Sequence, residues 1–111
     1  MMPFKPIHVP LILAGEKVQT RRSWKKARAK VGAIHLAKVQ MLSKEYFARL
    51  LILAVYEERL GDISEEDARA EGYPTKYDYL VAFQKINHIS DDDFTDMLKM
   101  MVFVVKFKVV E

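Results

Sequence analysis

The residues best suited to chemistry lie in a cationic segment that begins just after Gly15. Those that can contact an anion or a nucleobase are Lys17, Arg21, Arg22, Trp24, Lys25 and Lys26. Arginine pairs with phosphate through two parallel hydrogen bonds, and an indole can stack on a base. The segment therefore predicts binding of a nucleotide or a nucleic acid. The alternative is structural: both arginines are exposed strand charges, and Trp24 anchors a loop to the core.

Charge is distributed unevenly along the chain. Residues 1–49 contain 11 Lys/Arg and 2 acidic residues, residues 50–96 contain 4 and 12, and residues 97–111 contain 3 and 1. A basic first half predicts a surface that attracts phosphates or another polyanion. The alternative is that this basic half docks against the acidic helices of the same protein.

Composition argues against several classes of site. The chain has no cysteine, which removes disulfides, thiolate zinc sites and a cysteine nucleophile, and favours an intracellular, cytoplasmic setting. His8, His35 and His88 do not match metal-ligand spacing, so we expect neither a metal nor a cofactor. The three aspartates at 91–93 predict a turn and helix entrance, with a magnesium site as the weaker alternative.

The sequence also lacks the patterns of a P-loop, a signal peptide and a membrane-spanning segment. Gly15 and Lys17 lack the spacing of a phosphate-binding P-loop, which argues against nucleoside triphosphate hydrolysis. Prolines interrupt the N-terminus, unlike a signal peptide, and the apolar runs at 50–56 and 100–105 are far below the roughly 20 residues that cross a bilayer. We expect one domain, residues 1–111, with no membrane association, as a monomer or weak dimer.

The elements that must position these residues follow from periodicity and caps. We predict a short helix over 8–14 closed by Gly15, extended backbone from 17 to 22, and a loop or short helix over 24–30. Capping residues predict helices over 65–71 and from Thr75 to about 86. The predicted strands cover 33–40, 49–58 and 101–110, the second buried on both faces. Strands at both ends of the chain indicate an α+β fold with a small curved sheet or barrel.

Two segments resemble signatures of the ASCH family. Residues 12–22 match its opening motif, in which an apolar helix ends in Gly and is followed by Lys, Thr and Arg. Residues 60–73 match its second motif, an acidic helix entered through Ile-Ser and closed by Glu71-Gly72. The resemblance implies a PUA-like β-barrel of mostly antiparallel strands with helices packed around it. It also implies a role with RNA or a nucleoside, since the family spans archaeal and bacterial proteins and includes small amidohydrolases acting on acetylcytidine.

The same resemblance implies a catalytic set. In the amidohydrolases it comprises a lysine, a threonine three residues later and a glutamate on the later helix, which correspond here to Lys17, Thr20 and Glu71. A lysine that is partly neutral could remove the proton of a threonine hydroxyl and activate it as a nucleophile. The cations Arg21 and Arg22 would lower the Lys17 pKa, whereas a nearby Glu71 would raise it.

This chain departs from the amidohydrolase pattern at several positions. Val18 replaces a hydroxyl residue, Arg21 adds a charge beside Thr20, and Trp24 is accompanied by additional cations. These departures favour a larger anionic ligand. The leading hypothesis is an ASCH domain that binds single-stranded RNA or a modified nucleoside in a cleft around Lys17, Thr20 and Glu71. The alternative is an amidohydrolase that deacylates acetylcytidine-type substrates. A third hypothesis is a non-catalytic partner in a larger RNA-processing assembly.

Overall fold

The computed structural model describes residues 1–110, which form five strands and four α-helices. The strands are β1 (Met2–Pro3), β2 (Gln19–Arg22), β3 (Ile34–Lys38), β4 (Ala48–Arg59) and β5 (Met101–Val110). The helices are α1 (Val9–Leu13), α2 (Glu65–Ala70), α3 (Lys76–Ile86) and α4 (Phe94–Leu98). Short 3-10 turns precede α1, α2 and α4. The predicted α+β class is confirmed.

The strands form one curled sheet with the order β1-β3-β4-β5-β2, a half-barrel. All neighbouring pairs are antiparallel except β1 with β3. No sequence pattern indicated β1, because a strand of two residues is too short to show the alternation of buried and exposed side chains. Pro3 is compatible with β1 because this strand is an edge, where a missing N–H leaves no ladder bond unmade.

β4 is a strand, as predicted, but the prediction that both of its faces are buried was wrong. Ala48, Leu50 and Ile52 point into the core, whereas 48% of Leu53 is exposed and Tyr56 is also exposed. A register shift in the pairing with β5 falls between Ile52 and Ala54. Antiparallel sheets can leave one face in water, and the second face of β4 does so here.

Two hydrophobic clusters hold the fold together. One lies within the curl of the sheet and contains Met2, Phe4, Ile12, Ala37, Ala48, Leu50, Ile52, Val105 and Phe107. The other packs the helices against the far part of the sheet and contains Leu60, Ile63, Ala68, Tyr79, Leu80, Phe83, Met97 and Val102. Ile86, at the end of α3, lies outside both clusters and is 41% exposed.

Side-chain caps fix where α2 and α3 begin, as the sequence predicted. The hydroxyl of Ser64 accepts a hydrogen bond from the Asp67 backbone N–H at 3.0 Å. Thr75 does the same for the Asp78 backbone N–H at 3.1 Å. Each cap satisfies a backbone donor that the first helical turn cannot pair.

Two glycines with positive φ end α1 and α2 and bring these helix ends together. Gly15 has φ +75° and Gly72 has φ +100°. Behind Gly15, the backbone N–H groups of Glu16 and Lys17 donate to the Leu11 carbonyl at 2.9 and 3.0 Å. The left-handed conformation suits glycine because it has no Cβ. Both helix ends therefore turn sharply into the residues of the candidate site.

Replacing Gly72 with alanine tests this junction. A Cβ at Gly72 would lie 2.9 Å from Leu11 Cδ1, whereas a Cβ at Gly15 would meet nothing within 4 Å. We expect Gly72→Ala and Gly15→Ala each to lower the free energy of unfolding by about 1–3 kcal/mol, because both residues have a positive φ that strains an alanine. The Leu11 methyl group is the end of a flexible side chain and can shift away from the new Cβ, so it adds little to the loss at Gly72. Urea denaturation of both variants measures the losses, and an unchanged stability in both would contradict the left-handed conformation at the two helix ends.

Candidate functional site

Lys17 and Glu71 form a buried ion pair where the ends of α1 and α2 meet. Lys17 Nζ lies 2.9 Å from Glu71 Oε1 and donates a second hydrogen bond of 2.9 Å to the Glu71 backbone carbonyl. Each residue is only 2% exposed. The backbone N–H of Val18 also donates to Ala70 O at 2.8 Å, which fixes the strand entrance against α2.

Burial and the ion pair act in opposite directions on the Lys17 amine. Burial favours the neutral form and lowers the Lys17 pKa, while the adjacent Glu71 carboxylate opposes this. Burial outweighs the carboxylate, so the Lys17 pKa lies below its ordinary value. A lysine in this setting is a better candidate base than an exposed one.

Arg21 lies at the centre of a buried polar network beside this pair. Its Nη1 donates to Glu71 Oε2 at 2.8 Å and Gln19 Oε1 at 2.6 Å. Its Nε and Nη2 donate to Glu58 Oε1 at 3.2 and 3.0 Å, and Nη2 also donates to Asp67 Oδ2 at 3.3 Å. Burial by itself would lower the Arg21 pKa, but the Glu71 and Glu58 carboxylates have the larger combined effect and raise the Arg21 pKa.

These contacts use all five N–H donors of the Arg21 guanidinium. Arg21 therefore holds Glu71 in place and has no donor left for a ligand, which does not fit the expectation that it contacts one directly. The bonds join a cation of the basic first half to acids of the second half. The alternative in which part of the basic half docks against the protein's own acidic residues thus holds for Arg21 and Lys17.

Thr20 and Arg22 form a second pair on the other face of β2. Arg22 Nε donates to Thr20 Oγ1 at 2.9 Å, and Arg22 Nη2 donates to the Pro3 carbonyl at 2.7 Å. The guanidinium carbon lies 4.8 Å from the centroid of the Phe4 ring. Arg22 thus connects the two edge strands of the half-barrel, β1 and β2.

A cleft of about 440 Å³ brings these groups together between the two edge strands and α3. Its polar lining includes Lys17, Thr20, Arg22 and Glu71. Within it Lys17 contacts Glu71, whereas Thr20 is hydrogen-bonded to Arg22 and to neither of the others. The remaining lining is aromatic or apolar over much of its area, with Phe4, Trp24, Tyr73, Tyr79, Phe83 and Ile86.

Two solved structures resemble this arrangement of strands and helices. The first is an ASCH domain from Lactobacillus crispatus JV V101, with 24% identity, a TM-score of 0.63, and coverage of 93% of this chain and 70% of that one. The chain has an ASCH-like fold. A protein from Enterococcus faecalis V583 assigned to DUF984 aligns with 18% identity, a TM-score of 0.64, and coverage of 92% and 69%. No family model matches the sequence, and no curated protein matches it significantly.

Histidine and tyrosine side chains form one wall of the cleft in this ASCH-like fold. His8 Nε2 is hydrogen-bonded to the Tyr73 hydroxyl at 2.9 Å, and the Tyr73 and Tyr79 rings pack edge to face at 5.6 Å. Burial and the Glu71 carboxylate raise the Tyr79 pKa well above its ordinary value, so its hydroxyl stays protonated. That hydroxyl has no hydrogen-bond partner among residues 1–110 yet is not sealed from solvent. Tyr79 can therefore donate to a molecule in the cleft.

The pKa of His8 predicts a pH dependence of stability. Burial, followed by the charges of Lys17 and Arg22, lowers the His8 pKa from 6.5 to about 4. Between these values the unfolded chain binds the proton and the folded chain does not, so stability should fall as the pH drops from 6.5 toward 4. We expect His8→Gln to remove this component of the pH slope in urea denaturation.

The exposed His88 supplies the control for that experiment. His88 has φ 55°, which asparagine also adopts readily, so His88→Asn changes an imidazole without straining the backbone. The free energy of unfolding of this variant should depend on pH as it does in the unaltered protein. Identical slopes for His8→Gln and the unaltered protein would contradict the assignment to His8.

The other predicted binding residues divide into two groups. Trp24 lines the cleft and packs against Phe103, with ring centroids 6.1 Å apart, so it both anchors its loop and borders the site. Lys25 and Lys26 are exposed and lie outside the cleft lining. Tyr77 is also exposed and lies outside that lining.

No pattern in the sequence indicated His8 or the acceptors around Arg21 as site residues. Gln19 is buried and donates to Asp67 Oδ1 at 3.3 Å, and Glu58 lies near the end of β4. The available signal was strand alternation: Gln19 and Arg21 share one face of β2, while Thr20 and Arg22 share the other. The acidic partners are 37 to 50 residues away from Arg21 in the chain, beyond the reach of local patterns.

No three His, Asp or Glu side chains within residues 1–110 converge into a cluster that could hold a metal ion. The helices in the same range are too short or too polar to span a bilayer.

Proposed function

We propose that the cleft binds a nucleoside unit, either a modified nucleoside or one unit of single-stranded RNA. The observation that carries this proposal is the meeting of a cationic wall with an aromatic wall in one cavity of about 440 Å³. Pockets for small ligands are commonly about 300–1,000 Å³, mostly apolar, with a few converging polar groups. A nucleoside matches such a cavity, since its base offers a flat face and its edges offer hydrogen-bonding groups.

The polar groups left unsatisfied in the cleft suit a nucleobase or ribose. The Thr20 oxygen accepts from Arg22, which leaves its hydroxyl proton available. Lys17 makes two hydrogen bonds and keeps a third N–H. With the Tyr79 hydroxyl, three donors thus border the cavity, and a ligand that displaces water from them must supply acceptors.

Single-stranded RNA would extend beyond the cleft past Trp24. Lys25 and Lys26 follow Trp24 on the surface and would contact the backbone of neighbouring nucleotides. A cationic track beside a stacking platform is the usual arrangement for single-stranded nucleic acid. For this ligand, the Lys25→Ala, Lys26→Ala double variant should weaken RNA binding and reduce its salt dependence while leaving nucleoside binding unchanged.

Calorimetric titration with cytidine, acetylcytidine and uridine tests the proposed function. We expect Thr20→Val to weaken binding about tenfold, because the isosteric methyl group cannot donate to the ligand. Thr95 is exposed on α4, so Thr95→Val provides the matched control and should bind as the unaltered protein does. The proposal would be wrong if the protein bound none of these nucleosides at millimolar concentration and also failed to bind single-stranded RNA.

Hydrolysis of an acyl amide is a second candidate function, favoured by the lowered Lys17 pKa and by the presence of Thr20 in the same cleft. The Thr20 oxygen would attack the acyl carbon while Lys17 takes the hydroxyl proton. That proton would pass to the departing amine, and water would then release the acid from the ester on Thr20. Thr20 would have to approach Lys17 during this step, since its present partner is Arg22.

A further inference from the structure

Arg22 differs from the other cations of the cleft in its lack of an anionic partner. Lys17 and Arg21 both form ion pairs with Glu71, and Arg21 has two further carboxylate partners. No carboxylate of residues 1–110 forms an ion pair with Arg22. The inner part of the cleft is thus internally compensated, while Arg22 contributes an unmatched positive charge.

The groups that hold Arg22 orient its guanidinium without neutralising it. Thr20 Oγ1 and the Pro3 carbonyl are uncharged acceptors, and the Phe4 ring contributes only its quadrupole. These contacts use Nε and Nη2, and Nη1 has no acceptor among the described residues. Burial lowers the Arg22 pKa, because keeping this cation out of water is costly. The charge of Glu71 opposes this shift but does not outweigh it.

An unpaired, partly desolvated guanidinium with free N–H groups favours a bound anion. Lys5 adds a second cation to the lining of the same cleft, next to Phe4. Phosphate fits because the planar guanidinium donates two parallel hydrogen bonds to its oxygens, and the ammonium group adds a point charge.

We propose that Arg22 and Lys5 form a phosphate subsite, so that the cleft takes nucleotides, free or within RNA, in preference to nucleosides. This inference rests on the proposed nucleoside function and adds the phosphate to it. The base would occupy the tyrosine-lined part of the cleft, and the phosphate would lie against Arg22.

Calorimetric titration with cytidine, cytidine 5′-monophosphate, cytidine 3′-monophosphate and inorganic phosphate tests this subsite. We expect at least one monophosphate to bind about 10–100-fold more tightly than cytidine. Arg22→Gln should reduce this preference to near unity, Lys5→Gln should reduce it partially, and inorganic phosphate should compete with the monophosphate. The Lys99→Gln, Lys108→Gln double variant removes two exposed cations that lie outside the cleft lining and should retain the full preference.

The outcomes separate the subsite from the function on which it rests. Equal affinity for cytidine and both monophosphates, or a preference that survives Arg22→Gln, would overturn the subsite and leave nucleoside binding standing. Failure of every nucleoside, nucleotide and RNA to bind would overturn both. If Arg22→Gln does not fold, Arg22→Lys keeps the charge but loses the paired donors and should give an intermediate preference. A hexacytidine without terminal phosphates identifies the source of the phosphate. If the subsite takes an internal RNA phosphate, the protein should bind this oligonucleotide tightly. If it takes only a terminal phosphate, the protein should bind it as weakly as cytidine.

Discussion

Replacing Glu71 with alanine should lower the free energy of unfolding by about 3–5 kcal/mol, a large fraction of the stability of a domain this size. The physical reason is the loss of the carboxylate that both Lys17 and Arg21 contact, at 2.9 and 2.8 Å. Arg21 retains Glu58 and Asp67, but Lys17 would be left buried with only a backbone carbonyl. Urea denaturation at pH 7 measures the loss.

Matched variants separate this effect from a general sensitivity of α2. Glu66 is exposed on the same helix, and Glu66→Ala should change stability by less than about 0.5 kcal/mol. Replacing Lys17 with methionine and Glu71 with leucine together should cost less than Glu71→Ala alone, because no uncompensated lysine remains. A loss below about 1 kcal/mol for Glu71→Ala would contradict the buried ion pair.

Substitutions of Thr20, Lys17 and Glu71 should also have large effects on the rate of any deacylation in the cleft. If the cleft deacylates acetylcytidine, purified protein should release acetate, and Thr20→Ala, Lys17→Ala or Glu71→Ala should each reduce the rate by about 10²–10⁴-fold or more. The rate of the unaltered protein should rise with pH through the lowered Lys17 pKa, because only the neutral amine can accept the Thr20 proton. Acetate release measured across pH provides both results.

Controls for this experiment must distinguish catalysis from folding, since Glu71→Ala is expected to destabilise the protein. Thr20→Val preserves shape and Thr95→Val removes an unrelated hydroxyl, so only the first should lose activity. No acetate release at high enzyme concentration would remove the amidohydrolase hypothesis and leave the binding function in place. Activity retained in Thr20→Val would exclude Thr20 as the nucleophile.

Local patterns in the sequence predicted much of the architecture. The caps at Ser64 and Thr75, the glycines that end α1 and α2, and the closing strand β5 all depend on residues within a few positions of one another. Such features depend on backbone geometry and capping, which short segments determine by themselves. Strands at both ends of the chain indicated a small curved sheet or barrel, and resemblance to the ASCH family implied its PUA-like form.

The composition of the site was less predictable because its contacts join distant parts of the chain. Lys17 and Glu71 are 54 positions apart, and His8 and Tyr73 are 65 apart. Resemblance to a known motif indicated the first pair, whereas no motif indicated the second. The burial of Arg21 was missed because an arginine beside another arginine is more often exposed, and only the tertiary structure supplies its three carboxylate partners.

The proposed function requires that the cleft itself receives the ligand. Titration of ¹⁵N-labelled protein with cytidine and its monophosphates, followed by amide chemical shifts, tests it most directly. The expected result is saturable shifts concentrated at residues 17–24 and 71–73, with small changes on the exposed face of β4 around Leu53. Unchanged spectra, or shifts confined to surfaces away from Lys17, Arg22 and Glu71, would contradict it.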